Sequence, residues 1–131
     1  MQPENIIDME AICKIKDIYK ALYQFEKTFA ELHSITINEA MLLCCLKDGD
    51  PKSAGTISGY IGLSNSRVSK VITSVETKGY IQRNISPSDR RQMLFSLTAD
   101  GASKIHQMLG QPMGFDELFA TLNACMKPEK I

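Results

Sequence analysis

Residues 63–97 read LSNSRVSKVITSVETKGYIQRNISPSDRRQMLFSL, and this stretch decides the fold. Val68, Val71, Ile72 and Val75 recur at i, i+3, i+4 and i+7, which places them on one stripe of an α-helix. The opposite face holds Asn65, Ser66, Arg67, Ser69, Lys70, Thr73 and Ser74: small hydrogen-bonding groups and two cations, with no carboxylate. A solvated helix face ordinarily mixes both signs. This one suits the major groove of DNA, where such side chains reach base edges and phosphates without like-charge repulsion. Gly79 offers the left-handed stop that a helix C-terminus favours. The chain then alternates from Tyr80 to Ile85, turns in Ser86-Pro87-Ser88-Asp89, and returns from Gln92 to Leu97 with Met93, Phe95 and Leu97 on one face.

Helix, two-stranded hairpin and charged tip are the parts of a winged helix. With its neighbours the segment resembles the MarR family of bacterial transcription regulators. The likeness rests on helix, Gly, short strand, then Asp-Arg-Arg, a strand and Leu-Thr-x-x-Gly, here Asp89, Arg90, Arg91, Leu97, Thr98 and Gly101. Leu63-Ser64 entering the helix, and Thr36-Ile37-Asn38-Glu39 opening an earlier one, fit the same pattern, so the likeness covers residues 35–101. It implies a mainly α fold with a small β-hairpin wing: a winged helix-turn-helix flanked by N- and C-terminal dimerisation helices. Residues 1–131 would then be one domain, with the DNA-binding lobe at 35–101 and the dimerisation helices at 1–34 and 102–131.

Outward from the deciding stretch, Ser53 to Ile61 is expected to be the first helix of the helix-turn-helix, with Ile57, Tyr60 and Ile61 inward and Gly62 at the turn. Ser64 or Asn65 caps the recognition helix. Thr36 with Glu39 reads as a capping box, and the nearly continuous apolar run from Ala40 to Leu46 makes the helix that follows a buried one. From Pro3 to Leu32 an apolar stripe of Ile7, Ile12, Ile15, Ile18, Tyr19, Leu22, Phe25, Phe29 and Leu32 is longer than a small winged helix can cover. Its surplus is expected to pack against a second chain. Downstream, Thr98 caps a helix to about Leu109, Gly110 to Gly114 interrupts, and a last amphipathic helix runs from Phe115 to Met126 with Phe115, Leu118, Phe119 and Leu122. By the resemblance, the first and last helices build a homodimer interface, with Ile12, Ile15, Tyr19, Phe115, Leu118, Phe119 and Leu122 as its candidate residues.

A chain of 131 residues has the length of one domain. Its net charge of zero hides a division: residues 1–50 carry −4, residues 51–97 carry +5, and residues 98–131 carry −1. Positive charge is concentrated where DNA contact is expected, and acidic flanks would keep non-specific binding weak. No apolar run reaches the length of a membrane span, and no secretion signal is evident, so a cytoplasmic protein without a membrane partner is expected. Cys13, Cys44, Cys45 and Cys125 form neither a CxxC pair nor a His/Cys ligand spacing, and buried free thiols are expected. His33 and His106 stand alone and read as surface histidines, so no metal and no cofactor is expected.

The resemblance also assigns roles. Arg91 enters the minor groove, Asp89 holds its guanidinium, and Arg90 contacts phosphate or the same groove. Arg67 and Lys70 are candidates for base or phosphate contact in the major groove. The implied function is a double-stranded DNA-binding regulator, a repressor by default, that reads an inverted repeat and is released by a small aromatic or anionic lipophilic effector. Met9, Phe25, Phe29, Met41, Tyr60 and Met108 offer apolar surface for an effector, without marking a site. Two other classes compete. A winged helix that binds protein would not need the cations of the middle segment. A thiol-based peroxide sensor would use Cys13 near Tyr19 and Tyr23, but no Cys, His and acid constellation points to an enzyme.

Overall fold

The computed structural model describes residues 9–111 and 114–126. Within those residues six helices and three short strands follow one another: α1 (Met9–His33), α2 (Ile37–Cys45), β1 (Lys52–Ser53), α3 (Ala54–Ile61), α4 (Asn65–Thr77), β2 (Ile81–Ile85), β3 (Met93–Leu97), α5 (Ala99–Leu109) and α6 (Phe115–Met126). The expected start of the first helix, from Pro3 through Ile7, lies outside the described residues, as do Pro112 and Met113 in the expected break.

Local chemistry sets the helix boundaries. Thr36 and Glu39 cap α2 reciprocally: the Glu39 N–H donates to Thr36 Oγ1 (3.1 Å) and the Thr36 N–H to Glu39 Oε1 (2.7 Å). Ser53, Ser64 and Thr98 cap α3, α4 and α5, each accepting from a backbone N–H three residues on. Of the two expected caps for α4, Ser64 is the one used. The end of α4 is a Schellman turn, with Gly79 at φ +82° and the Tyr80 N–H donating back to the Val75 carbonyl at 3.2 Å.

The core lies beneath the helix-turn-helix. Ile35, Leu42, Leu43, Leu46, Ile57, Val68 and Val75 are fully buried, with Ile72, Ile81, Phe95, Phe29 and Met108 closing the cluster. The predicted stripe of α4 is therefore its packing face. Each such side chain contributes about 1.5–3 kcal/mol on burial, enough to hold so short a helix against the rest of the lobe. Tyr60 departs from expectation. It is exposed, because Ile57 and Ile61 already take the inward arc of α3, and its hydroxyl reaches Cys44 Sγ at 3.5 Å instead.

The wing is an antiparallel three-stranded sheet in the order β1-β3-β2, not a two-stranded hairpin. Lys52 pairs with Phe95 and Ser53 with Leu94 on one side of β3, while Ile81 to Ile85 pair with Leu97 to Met93 on the other. Strand β1 is held at its start by Lys52, whose ammonium donates to the Cys45 carbonyl and to Asp48, each at 2.8 Å. The α5 helix packs against α2 and β3, and Met108 enters the core; α1 and α6 lie against each other, with Phe25 and Phe115 ring centroids 5.3 Å apart.

Candidate nucleic-acid interface

On α4, Asn65, Ser66, Arg67, Ser69, Lys70 and Thr73 are all exposed, so the six candidate residues form one outward face. Neither Arg67 nor Lys70 has an ion-pair partner among the described residues. Ser74 departs from this face: it turns inward and donates its hydroxyl to Glu39 Oε2 at 2.6 Å.

At the wing tip, the turn between β2 and β3 is built on Ser86, which is buried and whose hydroxyl accepts the Asp89 N–H at 3.3 Å. The Ser86 N–H donates to the Gln92 carbonyl (2.9 Å), and the Gln92 N–H donates to the Asp89 carbonyl (3.0 Å). This closed turn presents Arg90 and Arg91 to solvent. The Asp89 carboxylate accepts the Arg91 backbone N–H at 3.0 Å and stands 3.6 Å from Arg91 Nε, so it fixes the backbone first and the guanidinium second. Arg91 itself is 95% exposed along its side chain, free to enter a groove.

Other cations of the middle segment are committed to structure. Arg83 forms a bidentate pair with Glu76, both contacts 2.7 Å, joining the end of α4 to β2, and its guanidinium lies over the Phe95 ring. That pair holds the Glu76 carboxyl below its ordinary value. Lys52 is tied to Asp48 and Lys78 to Glu39. The charge available to a polyanion therefore sits at Arg67, Lys70, Arg90 and Arg91, two on the helix and two on the wing.

The motif Leu97-Thr98-x-x-Gly101 fastens this assembly together. Thr98 Oγ1 donates to the Gly79 carbonyl at 2.6 Å and accepts the Gly101 N–H at 3.0 Å, while the Thr98 N–H donates to the Tyr80 carbonyl at 3.0 Å. A Cβ added at Gly101 would stand 2.0 Å from the Tyr80 carbonyl oxygen. Only glycine allows the start of α5 to lie on the chain that links recognition helix to wing.

Away from this face, Ile12, Ile15 and Tyr19 on α1 and Phe115 and Phe119 on α6 are exposed, whereas Leu118 is buried within the chain and Leu122 half-buried. A groove of about 460 Å³ runs between α1 and α6, and Phe25 is the one residue of the six named for effector contact that lines it. Phe29 and Met108 belong to the core, and Met9, Met41 and Tyr60 are exposed. Two further sequence expectations need correction. Cys13 is exposed, because the half of α1 that carries it lies beyond the core, and of the four thiols Cys45 alone is buried. His33 is buried at the end of α1 against the Phe29 ring, while the Lys104 ammonium donates to its carbonyl. Among the described residues no cluster of His, Cys, Asp and Glu could hold a metal, and no helix is long and apolar enough to cross a membrane.

Known proteins share this fold. The MarR family profile matches residues 35–93, the helix-turn-helix with most of the wing. The uncharacterized HTH-type transcriptional regulator YdcH of Bacillus subtilis is 28% identical over 114 residues, covering 87% of this chain and 74% of YdcH. Among solved structures, the complex of S. aureus MepR with DNA superposes with a TM-score of 0.60 at 21% identity, covering 84% of this chain and 88% of MepR. Bordetella bronchiseptica BpsR, whose DNA binding is regulated by 6-hydroxynicotinic acid, superposes with a TM-score of 0.68 at 18% identity, covering 92% and 89%. The winged-helix lobe at residues 35–93 thus matches the MarR family, and the chain as a whole is similar to transcriptional regulators of that kind.

Proposed function

We propose that this chain is a cytoplasmic homodimeric repressor that binds an inverted repeat in double-stranded DNA and leaves it when a small aromatic or anionic lipophilic effector binds. The observation that carries the reading is the carboxylate-free outward face of α4 set beside the two exposed arginines of the wing tip. In a twofold dimer, two such faces enter successive major grooves about 34 Å apart on one side of the duplex. Asn65, Ser66, Arg67, Ser69, Lys70 and Thr73 contact base edges and phosphates there. Arg91 enters the flanking minor groove, whose negative potential is greatest where an A/T-rich sequence narrows it, with Asp89 setting its approach and Arg90 on phosphate. Dimerisation would cover the exposed apolar side chains of α1 and α6: Ile12, Ile15, Tyr19, Phe115 and Phe119, with Leu118 and Leu122 packed beneath them. A dimer seated across a promoter excludes polymerase, which makes repression the outcome. The effector class is supported by BpsR, which responds to a small aromatic acid.

Anisotropy titrations of a labelled duplex pool of random sequence, at low salt, test the DNA-binding part. The wild type is expected to bind, and Arg67→Ala/Lys70→Ala and Arg90→Ala/Arg91→Ala are each expected to lose at least about tenfold in affinity while remaining folded. A folded wild type with no affinity for the pool would overturn the reading and favour a protein-binding winged helix.

A further inference from the structure

Glu39 is the one buried carboxylate among the described residues, 3% exposed, and its partners come from three places. Oε1 accepts the Thr36 N–H, closing the cap of α2. Oε2 accepts the Ser74 hydroxyl at 2.6 Å, and the Lys78 ammonium donates to both oxygens at 2.9 and 2.8 Å. Ser74 lies in the last turns of α4 and Lys78 is its C-cap. One carboxylate thus joins the start of α2 to the far end of the recognition helix. Thr36 stands three residues beyond the end of α1, and between them Ser34 takes a left-handed conformation at φ +61°.

The packing stripe of α4 allows the helix to roll, since Val68, Ile72 and Val75 fill an apolar groove without directional bonds. Directional bonds to a buried charge do not allow it, because any shift leaves a desolvated carboxylate short of donors. We propose that Glu39 is a positioning residue for DNA binding: through Ser74 and Lys78 it pins the C-terminal part of α4 to α2, fixing the angle at which Arg67 and Lys70 meet the groove. This rests on the DNA-reading role proposed for α4.

Capping and clamping can be separated in one substitution. In Glu39→Gln the side-chain oxygen still accepts the Thr36 N–H, since Gln serves a capping box as Glu does. The amide NH2 in place of Oε2 can accept from neither Ser74 nor Lys78; it can only donate to the Ser74 hydroxyl, so the charged half of the clamp is lost while the cap stays. Two readouts are taken on the full chain: affinity for the duplex that the wild type enriches from a random pool, and amide hydrogen exchange in the free protein. Glu39→Gln is expected to bind the enriched duplex about tenfold more weakly, with random duplex little affected. Exchange of the Ile72 to Thr77 amides is expected to quicken by a similar factor, while the β2 and β3 amides are unchanged. Lys78→Met should give the same pattern, and the double variant should be no worse than either single one. Should Glu39→Gln fail to fold, Ser74→Ala, which removes one neutral donor, is expected to lose about threefold. Unchanged exchange in α4 in these variants, or additive losses in the double variant, would overturn the proposal. Failure of the wild type to enrich any duplex would overturn the DNA-reading role, and the exchange experiment would still decide whether Glu39 fixes α4.

Discussion

Gly101 and Arg91 show how differently two residues of one motif act. Gly101 is there for space: its missing Cβ makes room for the Tyr80 carbonyl. Gly101→Ala must displace backbone, and we expect a loss of about 3 kcal/mol, read as a melting temperature lower by roughly 10 °C in calorimetry. Arg91 carries no structural burden beyond its Asp89 contact, so Arg91→Ala should leave the melting temperature within about 2 °C of wild type and act on DNA alone. The sequence spacing disclosed both residues but the reason for only one. Arg91 could be read from charge in a turn, whereas the close approach at Gly101 depends on a chain segment some twenty positions away. His33, Cys13 and Tyr60 were misplaced on burial for a related reason. Each is decided by which neighbouring arc or helix end the core happens to reach, and periodicity within one helix does not report that.

Among the elements, the helices were legible because their signals are local: caps at Thr36, Ser53, Ser64 and Thr98, and a four-residue stripe on α4. Strand β1 was not, since two residues cannot show an alternation, and its pairing with β3 is made across more than forty positions. The Glu39 clamp was equally hidden, its partners lying 35 and 39 positions downstream. Its electrostatics give a test at the scale of α2 and α4. Burial alone would raise the Glu39 carboxyl, but Lys78, Ser74 and the Thr36 N–H outweigh it and hold the group below its ordinary value near 4.5. A carboxyl depressed in the folded state stabilises fully above the unfolded value and loses that contribution as pH falls through the folded one. The stability difference between wild type and Glu39→Gln, measured by urea unfolding, should therefore be constant above about pH 5 and shrink below pH 4.5.

For the whole molecule, the charge division of −4, +5 and −1 is resolved by the structure into four cations without a structural ion-pair commitment at the helix and wing, Arg91 keeping only its loose contact with Asp89. Two protomers would present eight, and binding that engages all of them should weaken with salt with a log–log slope of about −7. The exposed apolar faces of α1 and α6 belong to the same scale. Ile15→Asp with Phe119→Asp should sediment near the protomer mass of 14.6 kDa, where the wild type should sediment at about twice that. Loss of dimerisation should also cost most of the specific affinity, because each half-site alone is held by half the contacts.

The most direct test of a dimer reading an inverted repeat is selection of duplexes from a random pool by the wild type, by Arg67→Ala and by Arg91→Ala. The account predicts recovery of two inverted half-sites with centres about 10 base pairs apart, with base preference relaxed inside the half-sites by Arg67→Ala and the preference for flanking A/T sequence relaxed by Arg91→Ala. A folded, dimeric wild type that enriches no common sequence would contradict it.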